Sequence, residues 1–294
     1  MKNKIIAIIL CAGEGIRLKE ITKNIPKPLI KIKELNNISI LEHTISSLIE
    51  LGIHRIAIVK GHLGMKIDEC VSSIKNYNSN FEEKLIIIDS GNQYKLGPLY
   101  SFLTITTSKN VFKRNSIYIV IPGDTIFQFN LLNQIFSIIV NNFNLIQKYP
   151  LIFYREMIIS ALKEQQESKT ISIADIEKKD SKCFIRQIKK YKLQDFSDSD
   201  FIKQIIPVFI FSFDFIKRIK KFENKFSVNT IREIINHMIR NGSEIIAMEI
   251  EKKINFHDID YETDLNIFNN LLKRRKKEDN RSSDNLKNYC FEGI

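Results

Sequence analysis

Apolar runs of strand length alternate with segments of helical period through the first half of the chain, and glycine-bearing loops fall where those runs end. These two observations predict an α/β fold with a largely parallel sheet. A third agrees with them: 294 residues at 44% hydrophobic and 27% charged content sit near globular averages, which excludes a disordered, collagenous or disulfide-stapled chain. The expectation is a Rossmann-like three-layer domain with a mainly parallel mixed sheet and a small β-rich accessory lobe.

Ile5–Leu10 reads as a buried first strand followed by a glycine loop. The segment 40–51 carries apolar Leu41, Ile45, Leu48 and Ile49 on one helical face and ends at Gly52. Strand 55–59, helix 66–74, strand 85–88, a loop with Gly91 and Gly97, helix 99–106 and strand 117–121 follow, so strand and helix units succeed one another in order. Beyond Phe129 the pattern changes to a helix over 131–140 and β-rich pieces at 170–176, 184–188 and 205–211. Helices over 213–220 and 228–240, a strand over 244–250 and a closing helix over 262–273 complete it. With no Gly/Ser-rich or Pro-rich linker, residues 1–272 read as one domain, its accessory lobe spanning roughly 150–225 over one side of the sheet. Residues 273–294 read as a basic, flexible tail.

The formal net charge is +11. Residues 273–294 hold seven basic and four acidic residues, and the rest of the excess is scattered, which argues against nucleic acid as the partner. The apolar run before Cys11 is too short for a signal sequence and has Leu10 where a small residue would precede cleavage. No segment approaches the length of a membrane span, so the expectation is a cytoplasmic protein without a membrane partner. Cys11, Cys70, Cys183 and Cys290 lie far apart without zinc-ligand spacing and read as free thiols.

The segment Leu10-Cys11-Ala12-Gly13-Glu14-Gly15-Ile16-Arg17-Leu18 begins where the first strand ends, the edge at which open α/β sheets bind ligands. Two glycines let backbone N–H groups turn toward a phosphate. This is neither the dinucleotide fingerprint, since Leu18 stands at the third glycine position, nor a P-loop, which needs G-K-[ST]. An ordinary β-to-α turn also carries glycines; the combination with Arg17 and with Lys27, held between Pro26 and Pro28, is what points to a phosphate pocket. Downstream, the strand over 117–121 runs into Pro122-Gly123-Asp124 and delivers a carboxylate to the same edge. A hard oxygen there suits Mg²⁺. In His257-Asp258-Ile259-Asp260, alternation puts Asp258 and Asp260 on one face, though a helix-capping loop would look the same.

Leu10–Leu18 followed by Pro26-Lys27-Pro28-Leu29 resembles the nucleotidyltransferase family that makes nucleotide-activated sugars and alcohols, whose opening reads L-A-A-G-x-G-x-R-L and then P-K-P-L. The one departure is Cys11 for alanine. The resemblance runs from about residue 4 to about residue 272, with the middle third carrying it only as a pattern. It implies that Asp124 and Asp258 share a catalytic Mg²⁺, with Asp260 as helper. It implies catalytic roles for Lys27, holding the reacting phosphates, and Arg17, stabilising departing pyrophosphate. It implies nucleotide binding by Leu10, Ala12, Gly13 and Gly15. The family recognises its base where this chain has Gly91–Ser101, which nominates Gln93, Gly97 and Ser101; Gly97 would let the ring approach closely. Pro98-Leu99-Tyr100-Ser101 resembles cytidylyltransferases acting on phosphocholine or similar alcohols, so the base stays open. Phe184–Lys190 resembles the family strand that ends in a substrate-phosphate lysine, which nominates Lys189 and Lys190, with Lys192 a further choice. His62, after the second strand, reads as structural.

The resulting expectation is Mg²⁺-dependent transfer of a nucleoside monophosphate from an NTP to a sugar 1-phosphate. Cytidylyl transfer to phosphocholine or another phospho-alcohol, and a catalytically silent nucleotide sensor, are the alternatives. A homo-oligomer is left open.

Overall fold

The structure, a computed structural model, describes residues 4–77, 81–163, 170–223, 228–251 and 255–279. In chain order the strands are β1 (Ile5–Cys11), β2 (Lys31–Ile32), β3 (Ile38–Ser39), β4 (Ile56–Lys60), β5 (Leu85–Asp89), β6 (Ile117–Pro122), β7 (Thr125–Phe127), β8 (Leu151–Ile158), β9 (Thr170–Lys179), β10 (Lys182–Lys192), β11 (Phe201–Ser212), β12 (Ile246–Glu249) and β13 (Phe256–Asp258).

A strand that is apolar at every position must be covered on both faces. In β1, Ile5, Ala7, Ile9 and Cys11 enter one core and Ile6 and Ile8 the other. Helices Ile40–Glu50, Gly64–Tyr77 and Phe129–Asn141 close the first core through Leu41, Ile45, Ile67, Val71, Leu131 and Ile135. Helices Pro98–Leu103, Phe213–Phe222 and Ile231–Arg240 close the second through Leu99, Phe102, Phe215, Ile219, Ile234 and Met238. The expected three layers are present. Local chemistry sets the helix starts: Ser39 and Glu42 cap the first of these helices reciprocally. The helix expected from residue 228 begins at Ile231 because Thr230 and Glu233 form the same box there.

Nine strands form one sheet in the order β5-β4-β1-β6-β11-β8-β12-β10-β9. From β5 to β6 it is parallel, as is β8 with β12, whereas β11 is antiparallel to β6 and β8, and β10 to β12 and β9. The sheet is therefore parallel in its first half and mixed in its second, rather than mainly parallel throughout. A second correction concerns the later strands. They do not lie over one side of the sheet but extend it edge to edge, because long β11 pairs at its end with β6 and β8 and at its start with β8 and, through Gln204, with β9. The register shift between Ile205 and Phe209 spans Pro207, which has no N–H for a ladder. Ile159, Leu162, Ile171, Leu193 and Ile202 make a small core at the far ends of these strands.

Strand β8 has no counterpart in the sequence pattern. Its apolar half, Leu151–Tyr154, follows directly on the helix Phe143–Lys148 and runs into Arg155-Glu156, so no alternation marks it. The closing helix, Glu262–Asp279, runs past Lys273 into what reads as tail; residues 280–294, with Cys290, lie outside the described residues. Cys11, Cys70 and Cys183 are free thiols. Among the described residues no helix is long and apolar enough to cross a membrane.

Candidate active site

The parallel half brings the carboxyl ends of β1, β4, β5 and β6 to one edge, with Cys11 beside Lys60, Lys60 beside Asp89 and Leu10 beside Pro122. Loops leaving these ends enclose a cleft of about 720 Å³ lined by Leu10, Cys11, Ala12, Gly13, Gly15 and Arg17 from the first loop, and by Lys27, Ser101, Asp124 and Asp260. At Gly13 no atom lies within 4 Å of where a Cβ would stand, so the missing side chain leaves room in the cleft. Gly15 turns at φ +65°, the left-handed region that glycine tolerates, and its carbonyl accepts from the Thr22 hydroxyl at 3.0 Å.

Gly123, between β6 and β7, is fixed by contact. Its N–H donates to the Leu10 carbonyl at 2.9 Å, and a Cβ would stand 2.7 Å from that oxygen and 2.8 Å from Cys11 Sγ. Gly123→Ala is expected to cost about 1–3 kcal/mol of stability through overpacking, read as a lowered melting temperature. The close approach seats Asp124 beside the glycine loop. Cys11 itself is buried there, and burial first, then the Asp124 charge, pushes its thiol well above the ordinary range, so it is an unreactive wall residue.

Two acids and two bases interlock at the cleft. Lys27 Nζ lies 2.6 Å from Asp124 Oδ2 and 2.8 Å from Asp260 Oδ1, and Arg17 donates to Asp260 Oδ2 at 2.8 Å. The Lys27 side chain is 9% exposed, while that of Arg17, at 49%, stands at the rim with its guanidinium 5.6 Å from the Tyr261 ring centroid. Burial lowers the Lys27 pKa, but the facing charges of Asp124 and Asp260 outweigh it and the net direction is up. Arg17 behaves likewise, burial opposed chiefly by Asp260. Both cations stay charged at neutral pH.

The backbone holds these side chains in place. Pro26 precedes and Pro28 sits within the 3₁₀ turn Lys27–Leu29, with Leu29 N–H bonded to the Pro26 carbonyl at 2.8 Å. Ile259 N–H donates to the Asp124 carbonyl at 3.1 Å, and the Asp264 carboxylate accepts from the N–H groups of Asp260 and Tyr261 at 2.8 and 2.7 Å. Asp264 thus fixes the loop ahead of the closing helix.

The structure gives the two late aspartates different neighbours. Asp260 joins Lys27 and Asp124, whereas Asp258 pairs with Thr125 across β13 and β7 and accepts from its hydroxyl at 2.5 Å. The end of the strand carries that difference: β13 stops at Asp258, and the chain leaves the ladder to bring Asp260 round to Lys27. Two carboxylate oxygens converging on one ammonium form a donor set that fits Mg²⁺, which needs one or two carboxylates beside phosphate and water. Among the described residues no three His, Cys, Asp or Glu side chains form a ready cage.

In the stretch 91–101, Ser101 lines the cleft, but Gln93 is exposed in the 3₁₀ segment Gly91–Leu96 and does not; Tyr94 and Lys95 of that segment do. Gly97, at φ +119°, is required for a different reason than close approach of a ring: the Asn229 carbonyl oxygen would lie 2.6 Å from its Cβ, and that oxygen accepts from Leu99 N–H. The backbone N–H of His62 donates to the Ala12 carbonyl at 3.1 Å.

A second cavity of about 180 Å³ shares Asp260 with the cleft. Asp258 and Lys190 line it, and Lys189 does not. Arg155 and Gln204, which no sequence motif flags, line it as well.

Residues 6–147 match the family described as Nucleotidyl transferase. The chain is similar to the nucleotidyl transferase family over those 142 of its 294 residues. The match covers β1 to β6 with the helix after β7, and so contains the glycine loop, Lys27 and Asp124, while Asp260 and Lys190 lie beyond it. Over 122 residues the chain is 37% identical to the bifunctional protein GlmU of Methanococcus maripaludis, covering 42% of this chain and 25% of that protein. Over 61 residues it is 42% identical to the 2-aminoethylphosphonate cytidylyltransferase of Lancefieldella rimae, covering 21% and 24%. The matches span about a quarter of these relatives' lengths. The fold is similar to a UDP-glucose pyrophosphorylase solved with UDP-glucose, at a TM-score of 0.65 and 17% identity over 92% of this chain and 99% of that one. The likeness in fold therefore extends through the mixed half of the sheet.

Proposed function

We propose that the chain catalyses transfer of a nucleoside monophosphate from an NTP to a phosphorylated small molecule, a sugar phosphate or a small phospho-alcohol, releasing pyrophosphate. The observation that carries this reading is the convergence of Lys27, Arg17, Asp124 and Asp260 beside a glycine loop. The GlmU and cytidylyltransferase relatives and the UDP-glucose pyrophosphorylase likeness support it.

A phosphate acceptor is already ionised near neutral pH, so the reaction needs no general base; it needs charge neutralisation and in-line placement. An acceptor oxygen forms a bond to the α-phosphorus, and the bond from that phosphorus to the α,β-bridging oxygen breaks, its electron pair leaving with pyrophosphate. Lys27, buried and held at two points, neutralises the reacting phosphates; Arg17, at the rim, meets the leaving pyrophosphate with a planar fork of donors. The triphosphate brings more negative charge than these two paired cations balance. Mg²⁺ held by Asp124 and Asp260 would supply the remainder as a Lewis acid. Leu10, Ala12, Gly13, Gly15 and Ser101, with Tyr94 and Lys95, form the nucleotide side, and Lys190 serves the acceptor.

Pyrophosphate release in Mg²⁺ with CTP, UTP, dTTP, GTP or ATP against sugar 1-phosphates and phosphocholine tests the reading. A productive pair that Asp124→Ala abolishes is the expected result; folded protein that turns over none of them contradicts it.

A further inference from the structure

We propose that Tyr261 is a positioning residue whose ring, from outside the cleft, holds the Arg17 guanidinium in the plane in which it meets pyrophosphate; this rests on the transferase reading above. Arg17 sits in the 3₁₀ turn Ile16–Leu18 after the glycine loop, and Tyr261 follows Asp260 just ahead of the closing helix. One small core ties these distant segments together, because Leu18 and Ile259 pack in it with Ile126 and Phe268. Asp264 Oδ2 accepts from the N–H groups of both Asp260 and Tyr261, which makes those two residues a fixed pair. Arg17 lies against both of them: Nη1 donates to Asp260 Oδ2 at 2.8 Å, and the guanidinium carbon lies 5.6 Å from the Tyr261 ring centroid.

The need for a second hold follows from the exposure of Arg17. Its side chain stands half in solvent at the rim, where an ion pair gains little against the rotamer freedom of a long side chain and the screening of salt. A single N–H···O bond fixes one end of the planar fork and leaves the plane free to turn; a ring face packed against the guanidinium fixes the plane. Tyr261 is itself 44% exposed and does not line the cleft, so its ring meets the cation and not the phosphates. Asp260, by contrast, is shared, since its Oδ1 also accepts from Lys27 at 2.8 Å. The ring has no formal charge to share, so its hold on Arg17 does not weaken as other cations draw on Asp260. Orientation is what a bidentate contact to a phosphate oxygen pair requires of a guanidinium, and Tyr261 supplies it.

The test is calorimetric binding of inorganic pyrophosphate in Mg²⁺ to the full chain, run beside steady-state pyrophosphate release. Tyr261→Leu is expected to raise the pyrophosphate Kd by about 3- to 10-fold, the range of a partly exposed cation–π contact. Tyr261→Phe keeps the ring and should bind like wild type. The bond from Tyr261 N–H to Asp264 does not involve the ring, so the Leu variant keeps its fold, which its melting temperature checks. In an Arg17→Gln background, adding Tyr261→Leu should weaken binding no further, whereas a general structural role would weaken it in both backgrounds. An unchanged Kd in Tyr261→Leu, an equal loss in Tyr261→Phe, or an undiminished loss in the Arg17→Gln background overturns the inference and leaves the transferase reading standing. Wild type that binds pyrophosphate yet releases none with any acceptor overturns the transferase reading, and the variants still decide the role of the ring. Wild type that does not bind pyrophosphate overturns both.

Discussion

Lys27→Met is expected to lower pyrophosphate release by about two to three orders of magnitude, the range found when one pre-organised charge-stabilising donor is removed. The side chain is buried between Asp124 and Asp260, and the substitution leaves two carboxylates facing phosphates across the cleft with no ammonium between them. Lys27→Arg should not rescue it, since the broad guanidinium does not fit a pocket that holds a point charge. Both losses should appear in kcat at saturating nucleotide. Because the paired acids raise the Lys27 pKa, its ion pairs persist through neutral pH and are lost only as pH rises through that raised value. The activity profile between about pH 6 and 9 therefore has no limb from Lys27. A Lys27→Met enzyme with near wild-type kcat would remove the central cation from the mechanism.

Asp260→Asn is the second large effect, and its contrast with Asp258→Asn tests the division between these residues. Asp260 contacts both Lys27 and Arg17, so its loss should cost about 10²- to 10³-fold in kcat and weaken the dependence on Mg²⁺. Asp258, bonded to Thr125 and lining the second cavity, should cost about tenfold or less and act mainly on KM for the acceptor. The measurement is steady-state pyrophosphate release for both variants with Mg²⁺ titrated. The reverse order would make Asp258 the metal ligand, as the family resemblance alone implies.

These two aspartates show where sequence reading stops. The motif gives the segment and the alternation, but whether the second or the fourth residue reaches Lys27 depends on where β13 leaves its ladder with β7, a tertiary pairing that no local pattern records. The parallel half was legible for the opposite reason: uninterrupted apolar strands such as Ile5–Cys11 and glycine-ended helices have strong local signals. Gly15, Arg17, Lys27 and Asp124 are legible because a β-strand end, a glycine turn and a proline frame fix them within a few residues of chain. Gln93 and Tyr94 fall on either side of that limit: the segment is identifiable, but the 3₁₀ turn decides which neighbour faces the cleft. Gly97 carries a real constraint whose source, the Asn229 carbonyl, lies far along the chain. The later strands read as a separate lobe because their lengths and spacing say nothing of edge pairing, and β8, with Arg155, escaped because a strand buried at one end and polar in its middle has no clean period.

The fate of each phosphate tests most directly whether the cleft transfers the nucleoside monophosphate part of a nucleotide. With a productive acceptor, nucleotide labelled at the α-phosphorus should place its label in the acceptor product, and nucleotide labelled at the γ-phosphorus should place its label in pyrophosphate. Label from the γ-position in the acceptor, or in free orthophosphate with no α-label transferred, would mean a kinase or a phosphohydrolase and would contradict the account.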